Sequence, residues 1–228
     1  MATQLLYTPF FPSSSLVLYY QCEGNSNDSK GSNNGTDTSI TYSIANGKYN
    51  QGAGFNGTTS KIACGSVTTL TNTSFSIAGW FKLPDFAAVY EIFSQGNTSN
   101  NSPLIQLAIS SSTAIATANR NNSSVGLDVD VTTSTMVANT WYHVAWTCST
   151  TSSRLYLNGL EQGSATTFTA NTATGLNVQN WGVLQRISSI RFWPGQLDDM
   201  AIFNAVLSPE QVMALYTGQN RLAALGGG

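Results

Sequence analysis

Charge is what this chain has least of. Lys and Arg contribute 9 residues and Asp and Glu 11 to a total of 228, so 9% of the side chains are charged and the formal net charge is -2. The basic residues are dispersed, which argues against nucleic acid or an anionic membrane as a partner. No stretch reaches the roughly 20 apolar residues that span a bilayer. The N-terminal 20 residues lack a basic start, a long unbroken apolar core and a cleavage site, and do not read as a signal peptide. Cysteine is limited to Cys22, Cys64 and Cys148, with no C-x-x-C spacing, which argues against zinc or thioredoxin-like chemistry. The three read as small buried residues, with a Cys22 to Cys64 bridge as the alternative. Histidine occurs once. No linear motif gives His143 a nucleophile or carboxylate to work with, so it reads as a hydrogen-bonded structural residue.

What remains is a chain whose polar surface is built from Ser, Thr, Asn, Gln and Gly, a composition suited to an extracellular or particle-borne setting. Its length suits one β-sandwich domain. Short candidate strands recur between turn signals: 16–20, 40–44, 53–55, 61–64, 74–82, 89–94, 104–110, 114–118, 125–131, 141–147, 154–157, 166–169, 187–192 and 197–203. That cadence predicts antiparallel sheets. Within 75–81 the alternation puts Phe75, Ile77, Gly79 and Phe81 on one face. Asn158-Gly159 between Leu157 and Leu160 is the clearest hairpin turn, because both residues accept φ > 0. One helix is expected at Ser208-Pro209-Glu210-Gln211, where Ser208 caps, Pro209 takes the first helical position and Gln211 closes a capping box. Val212, Leu215 and Tyr216 form its apolar side, to cover a sandwich edge or pack on the N-terminal strand. The division expected is an N-terminal arm over 1–15, one domain over 16–218, and a flexible C-terminal tail over 219–228.

Several segments, in order, carry a family resemblance. They are the loop Gly24 to Thr36, Gly47-Lys48-Tyr49-Asn50-Gln51-Gly52-Ala53-Gly54-Phe55-Asn56-Gly57, the strand Ser74 to Lys82, Trp141-Tyr142-His143-Val144-Ala145, Leu155-Tyr156-Leu157-Asn158-Gly159, Gly195 to Phe203, and Leu207-Ser208-Pro209-Glu210-Gln211-Val212. Together they resemble the laminin-G-like domains of the concanavalin A-like lectin/glucanase superfamily. The resemblance implies an all-β, two-sheet antiparallel jelly-roll sandwich with one short C-terminal helix. It says less about the ligand, since this fold carries lectins, adhesion modules, enzymes and structural domains.

The loop is dense in oxygen ligands of the kind calcium prefers. Asp28 with Asn25, Asn33 or Asn34 offers a half-site, and the resemblance implies that the loop meets the carboxylates near the C-terminus. Alternation there puts Asp198, Met200 and Ile202 on one face and Leu197, Asp199, Ala201 and Phe203 on the other. With Met200 and Ile202 in the core, Asp198 turns inward and needs a cation or several donors. Two readings stand: a structural calcium ion held by Asp28, its neighbouring asparagines and Asp198, or a hydrogen-bonded loop without metal. Several triplets permit N-glycosylation, including those starting at Asn27, Asn34, Asn56, Asn72 and Asn97, and carry sugar only in a eukaryotic secretory route.

Glycoside hydrolysis needs paired carboxylates across the scissile bond. The glutamates are widely dispersed, and the Glu-x-Asp-x-Glu strand of glucanases sharing the fold is missing. Asp128-Val129-Asp130 places two carboxylates on one strand face without a glutamate in that strand, so no enzyme is expected. For sugar binding, Trp181 and Trp193 are the expected ligand platforms, because Gly182 and Pro194-Gly195 beside them signal loops. The function expected is a noncatalytic structural or surface-recognition protein of a phage or viral particle; a secreted, lectin-like carbohydrate-binding module is the alternative. Its partners would be particle or capsid proteins, or a cell-surface glycan, with a homo-oligomer compatible with either. Its place would be the virion or the extracellular surface.

Overall fold

The computed structural model describes residues 14–65, 70, 73–169 and 173–218. The expected tail, and all of the expected arm but residues 14 and 15, lie outside them. In chain order the strands are β1 (Leu16–Tyr20), β2 (Thr36–Thr38), β3 (Thr41–Ser43), β4 (Gly52–Gly54), β5 (Lys61–Ala63), β6 (Phe75–Lys82), β7 (Tyr90–Asn97), β8 (Asn100–Ser111) and β9 (Ala114–Arg120). There follow β10 (Gly126–Thr132), β11 (Tyr142–Cys148), β12 (Ser152–Leu157), β13 (Leu160–Thr167), β14 (Val178–Trp181), β15 (Leu184–Gln185), β16 (Ser189–Ile190), β17 (Gln196–Phe203) and one helix, α1 (Pro209–Tyr216).

Two antiparallel sheets face each other. An eight-stranded sheet runs β13-β12-β11-β6-β17-β4-β3, with β1 also paired to β17, and a seven-stranded sheet runs β10-β9-β8-β7-β14-β5-β2. Alternation decides what each strand sends inward. Phe75, Ile77 and Phe81 of β6, Val144 and Trp146 of β11, and Ile105, Leu107 and Ile109 of β8 meet in one core between the sheets. This is the two-layer, all-β jelly-roll sandwich with a single helix that the sequence led us to expect.

The intervening residues point outward, and on the eight-stranded sheet they are covered. Ala78 of β6, Ala145 of β11 and Ala201 of β17 leave room for α1, whose Val212 and Leu215 join Leu16, Tyr19, Tyr156, Phe203 and Leu207 in a second cluster. The helix begins as its capping box dictates: Ser208 Oγ accepts from the Gln211 backbone N–H and Gln211 Oε1 from that of Ser208. Asn158 and Gly159, at φ 50° and 80°, turn the chain from β12 to β13 with Leu157 opposite Leu160.

Three local expectations need correction. The segment 166–169 is not a separate strand; its first residues end β13, which already starts at Leu160. Of the segment 187–192 only Ser189–Ile190 is a strand, β16, the second arm of a small hairpin with Leu184 opposite Ile190. Three strands were not anticipated, β2, β14 and the two-residue β15, because Thr-Asp-Thr, Val-Gln-Asn-Trp and Leu-Gln carry little strand signal; pairing with β5, β7 and β16 makes them strands.

Candidate functional site

The expected calcium half-sites are loop fasteners. Asp28 is buried beside β1, where its Oδ1 accepts from the backbone N–H of Tyr19 (3.1 Å) and Lys30 (3.0 Å) and its Oδ2 from that of Asn33 (3.2 Å). Asn34 turns its Oδ1 to the backbone N–H of Asp28, and Asn25 serves a local turn by accepting from Asn27 N–H. Asp198 serves a different loop. Its Oδ2 accepts from the backbone N–H of Lys48 (2.8 Å) and Tyr49 (3.0 Å), and its Oδ1 from that of Asp199.

The face assigned to Asp198 changes as well. β17 carries a bulge between Asp198 and Ala201, with Asp199 at φ 50°. One extra residue flips the alternation, so Leu197, Met200 and Ile202 point into the core. Asp198, opposite Trp80, belongs to the outer side under the 48–49 loop. An ionised carboxylate has about four lone-pair sites, and each of these two already receives three backbone donors. The donor set therefore does not fit a resident calcium ion. Among the described residues no group of three or more His, Cys, Asp or Glu side chains is placed to hold a metal.

The proposed ligand platforms are core residues. Trp181 and Trp193 are both 0% exposed. Trp181 ends β14, paired to Phe93 and Ile62, and its ring packs edge-on against Phe93 at 4.9 Å between centroids. Trp193 packs against Phe81 at 5.8 Å. Flanking glycine misled here: Gly182 turns the chain after the ring has already been delivered inward. The three cysteines are free thiols, Cys22 and Cys148 buried and Cys64 partly so. His143 is buried between Trp80 and Tyr216 under the end of α1, and burial pushes its imidazole down to about 3.

A different site emerges on the outer face of the seven-stranded sheet. Register lines up two rows across β7, β8, β9 and β10. One runs Glu91, Ala108, Ala116, Asp130; the next runs Ser94, Gln106, Ala118, Asp128. Small or neutral side chains occupy the middle of each row, with the carboxylates of Asp128 and Asp130 along one bank. The other bank is the β15–β16 hairpin, pinned onto β7 because Ser94 Oγ donates to the Val183 carbonyl (2.7 Å) and accepts from the Gln185 N–H (3.3 Å). Gly96 is required beneath it, since any Cβ there would strike the Gln185 carbonyl.

The result is a depression of about 260 Å³ lined by Gln106, Ser110, Ala116, Arg120, Asp130 and Arg191, with Val89, Asp128 and Arg186. A second depression, of about 380 Å³, lies farther along the sheet between Asn100, Asn101, Ser102, Asn122 and Ser124. Among the described residues no aromatic ring lines either one. Arg120 donates from Nη1 to Asp128 Oδ2 at 3.1 Å, while its buried Nε has no acceptor. Arg186 and Arg191 flank the hairpin strand β16 and bring two more guanidinium groups to the same depression.

Glu91 is the anomaly in this site. It is 0% exposed, its backbone N–H is tied to the Arg191 carbonyl (2.9 Å), and neither carboxyl oxygen has a hydrogen-bond partner. Such a group costs on the order of 1–3 kcal/mol or more unless something answers it. Burial pushes its proton affinity well above the usual carboxylate range, and the nearby Arg191 and Arg186 only partly offset this. Arg186 is in turn held below its ordinary value by desolvation and by the like charges of Arg120 and Arg191. Arg191 occupies the left-handed region at φ 57°, a strain of about 1–3 kcal/mol of the kind that collects at functional sites. The Asp128-Val129-Asp130 alternation was the one sequence signal for this surface.

Together these features define a lectin-like β-sandwich with a polar groove on one outer face. The family model of the concanavalin A-like lectin/glucanases superfamily matches residues 56–213, and the chain belongs to that superfamily. Among curated protein sequences none matches. Among solved structures, domain 4 of an extracellular arabinanase from Geobacillus stearothermophilus, in complex with arabinotriose, is similar with a TM-score of 0.69 at 22% identity, over 89% of this chain and 98% of that one. The botulinum neurotoxin serotype G binding domain gives 0.68 at 17% identity, over 90% of this chain and 51% of that one. The binding domain of Paraclostridial mosquitocidal protein 1 gives 0.68 at 15% identity, over 90% and 52%. The chain thus spans about half the length of these toxin domains. At such identities the likeness is one of fold.

Proposed function

We propose that this chain is a noncatalytic recognition domain that binds saccharide in the groove on the outer face of its seven-stranded sheet. The observation that carries this reading is the groove itself, lined by the hydrogen-bonding side chains of Gln106, Ser110, Arg120, Asp130, Arg186 and Arg191. Sugar hydroxyls both donate and accept, so one ligand class answers both the carboxylate of Asp130 and the guanidinium and amide donors of that lining. The similarity to an arabinanase domain in complex with arabinotriose supports the same class of ligand.

A noncatalytic role is supported by the register. Glu91 and Asp130 stand at opposite ends of a row four strands wide, about 14 Å of backbone at the usual strand spacing. Hydrolytic carboxyl pairs lie about 5–9.5 Å apart. Asp128 is engaged by Arg120. The low charge and the Ser, Thr and Asn surface support a second component of the proposal, an extracellular or virion setting in which the groove meets a cell-surface glycan.

A glycan array probed with the whole chain, followed by calorimetry, tests the reading. Binding is expected, and it should weaken at least about tenfold, or about 1.4 kcal/mol, in Asp130→Ala while Trp181 and Trp193 stay untouched. Silence across a broad array, with copurification alongside capsid or tail proteins, would replace glycan recognition by a structural role in a particle.

A further inference from the structure

The groove also indicates which saccharides it takes, an inference that rests on the reading above. Neutral sugars are commonly held by an aromatic face beneath the ring, and among the described residues no aromatic side chain lines either depression. The groove instead concentrates guanidinium groups, three in one depression from a chain with 9 basic residues in all. Arg120 spends one arm on Asp128. Arg186 and Arg191 have no ion pair among the described residues; both line the groove and repel each other, with only longer-range attraction from the buried Glu91 and, for Arg186, from Asp128.

Two free guanidinium forks, flanking one short hairpin strand, match the planar, two-oxygen geometry of a carboxylate. We propose that the depression between the β15–β16 hairpin and β10 takes an acidic saccharide, its sugar carboxylate held by Arg186 and Arg191. The row geometry divides the work. The ring lies over the low middle of the sheet at Ala116, its hydroxyls donate to Asp130 on the far bank, and its carboxylate turns toward the hairpin. Glu91 lies sealed under that hairpin, out of reach of the ligand. A bound carboxylate relieves the crowding of Arg120, Arg186 and Arg191, whereas a neutral sugar leaves it in place.

The test compares matched ligands that differ only in charge. An array of galacturonate, glucuronate and sialyl saccharides, each beside its methyl ester, is titrated against the full chain and against the Arg186→Gln, Arg191→Gln double variant. Each acid that binds should bind at least tenfold more tightly than its ester, and the difference should shrink with added salt and vanish in the double variant. A melting curve within a few degrees of wild type verifies that the double variant is folded. Acid and ester binding equally well, or neutral arabino-oligosaccharides binding more tightly than any acid, would overturn this inference while leaving saccharide recognition intact. Failure of every saccharide, charged or neutral, overturns both.

Discussion

The two outer faces of the sandwich start from the same pattern and end differently. On the eight-stranded sheet, Ala78, Ala145 and Ala201 make a shallow bed that α1 fills with Val212 and Leu215. On the seven-stranded sheet, Ala108, Ala116 and Ala118 make a comparable bed between Glu91 and Ser94 at one end and Asp130 and Asp128 at the other. No helix covers it among the described residues; it is walled on one side by a hairpin bearing two arginines. On the covered face Tyr19 donates from Oη to Asp199 Oδ1 at 2.7 Å, while Tyr156 Oη and His143 Nδ1 lie buried without hydrogen-bond partners. The open face leaves Glu91 and part of Arg120 unanswered. Small outward residues thus mark a place where something lies down, and what separates the two faces is that α1 fills one of them while charged side chains line the other.

The contrast can be broken most forcefully through the core beneath the open face. Trp181→Ala should cost about 3–5 kcal/mol and abolish binding only by unfolding the protein, visible as a lowered denaturation midpoint with saccharide absent. Loss of binding at unchanged stability would restore Trp181 as a ligand platform.

Next in size is a pair of opposed pH dependences, one from each face. His143 on the covered face has its pKa depressed to about 3 from 6.5. The unfolded chain therefore binds the proton first as pH falls, and stability present above about 6.5 drains away toward 3, by a few kcal/mol. Glu91 on the open side has a raised pKa, so the folded state keeps its proton longer and stability falls as pH rises above the ordinary carboxylate range. Urea melts across pH, compared with His143→Phe and Glu91→Gln, check both signs. The phenylalanine variant should flatten the acid limb, and the glutamine variant should gain stability at neutral pH.

Asp28→Ala should destabilise the fold by about 1–3 kcal/mol by orphaning three backbone donors, and neither calcium nor chelator should shift the melting temperature of the native chain. A melting temperature raised by calcium would reinstate the metal site. Ser208→Ala removes the cap of α1 and should cost about 1 kcal/mol in denaturant unfolding. The smallest effect on stability belongs to the groove: Asp130→Ala should lie within about 0.5 kcal/mol of wild type in the same assay, since that surface exists for a partner rather than for the fold.

Legibility followed the range of the interaction that decides each feature. β1, the Phe75 to Phe81 alternation, the Asn158-Gly159 turn and the Ser208 capping box all rest on contacts within a few residues, and all are readable from the chain. β14 was missed because its polar residues become a strand through pairing with β5 and β7. Asp198 was put on the wrong face because a bulge at Asp199 shifts the phase by one residue, which alternation by itself does not reveal. The groove was half visible: Asp128 and Asp130 share a strand face in the sequence, whereas Glu91, Arg186 and Arg191 lie far from them in the chain and reach the same surface through cross-strand register and the folded-back hairpin.

The sequence by itself determined that this chain is an all-β sandwich with one capped helix and few charges to spend, because period, turn chemistry and capping are local properties. Only the tertiary structure decided where those charges meet. It sent both tryptophans inward, gave Asp28 and Asp198 to backbone donors, and set three arginines on one outer face beside a buried, unpartnered glutamate. The physical reason is that burial and hydrogen-bond satisfaction depend on what the fold brings alongside each group, which spacing along the chain does not specify.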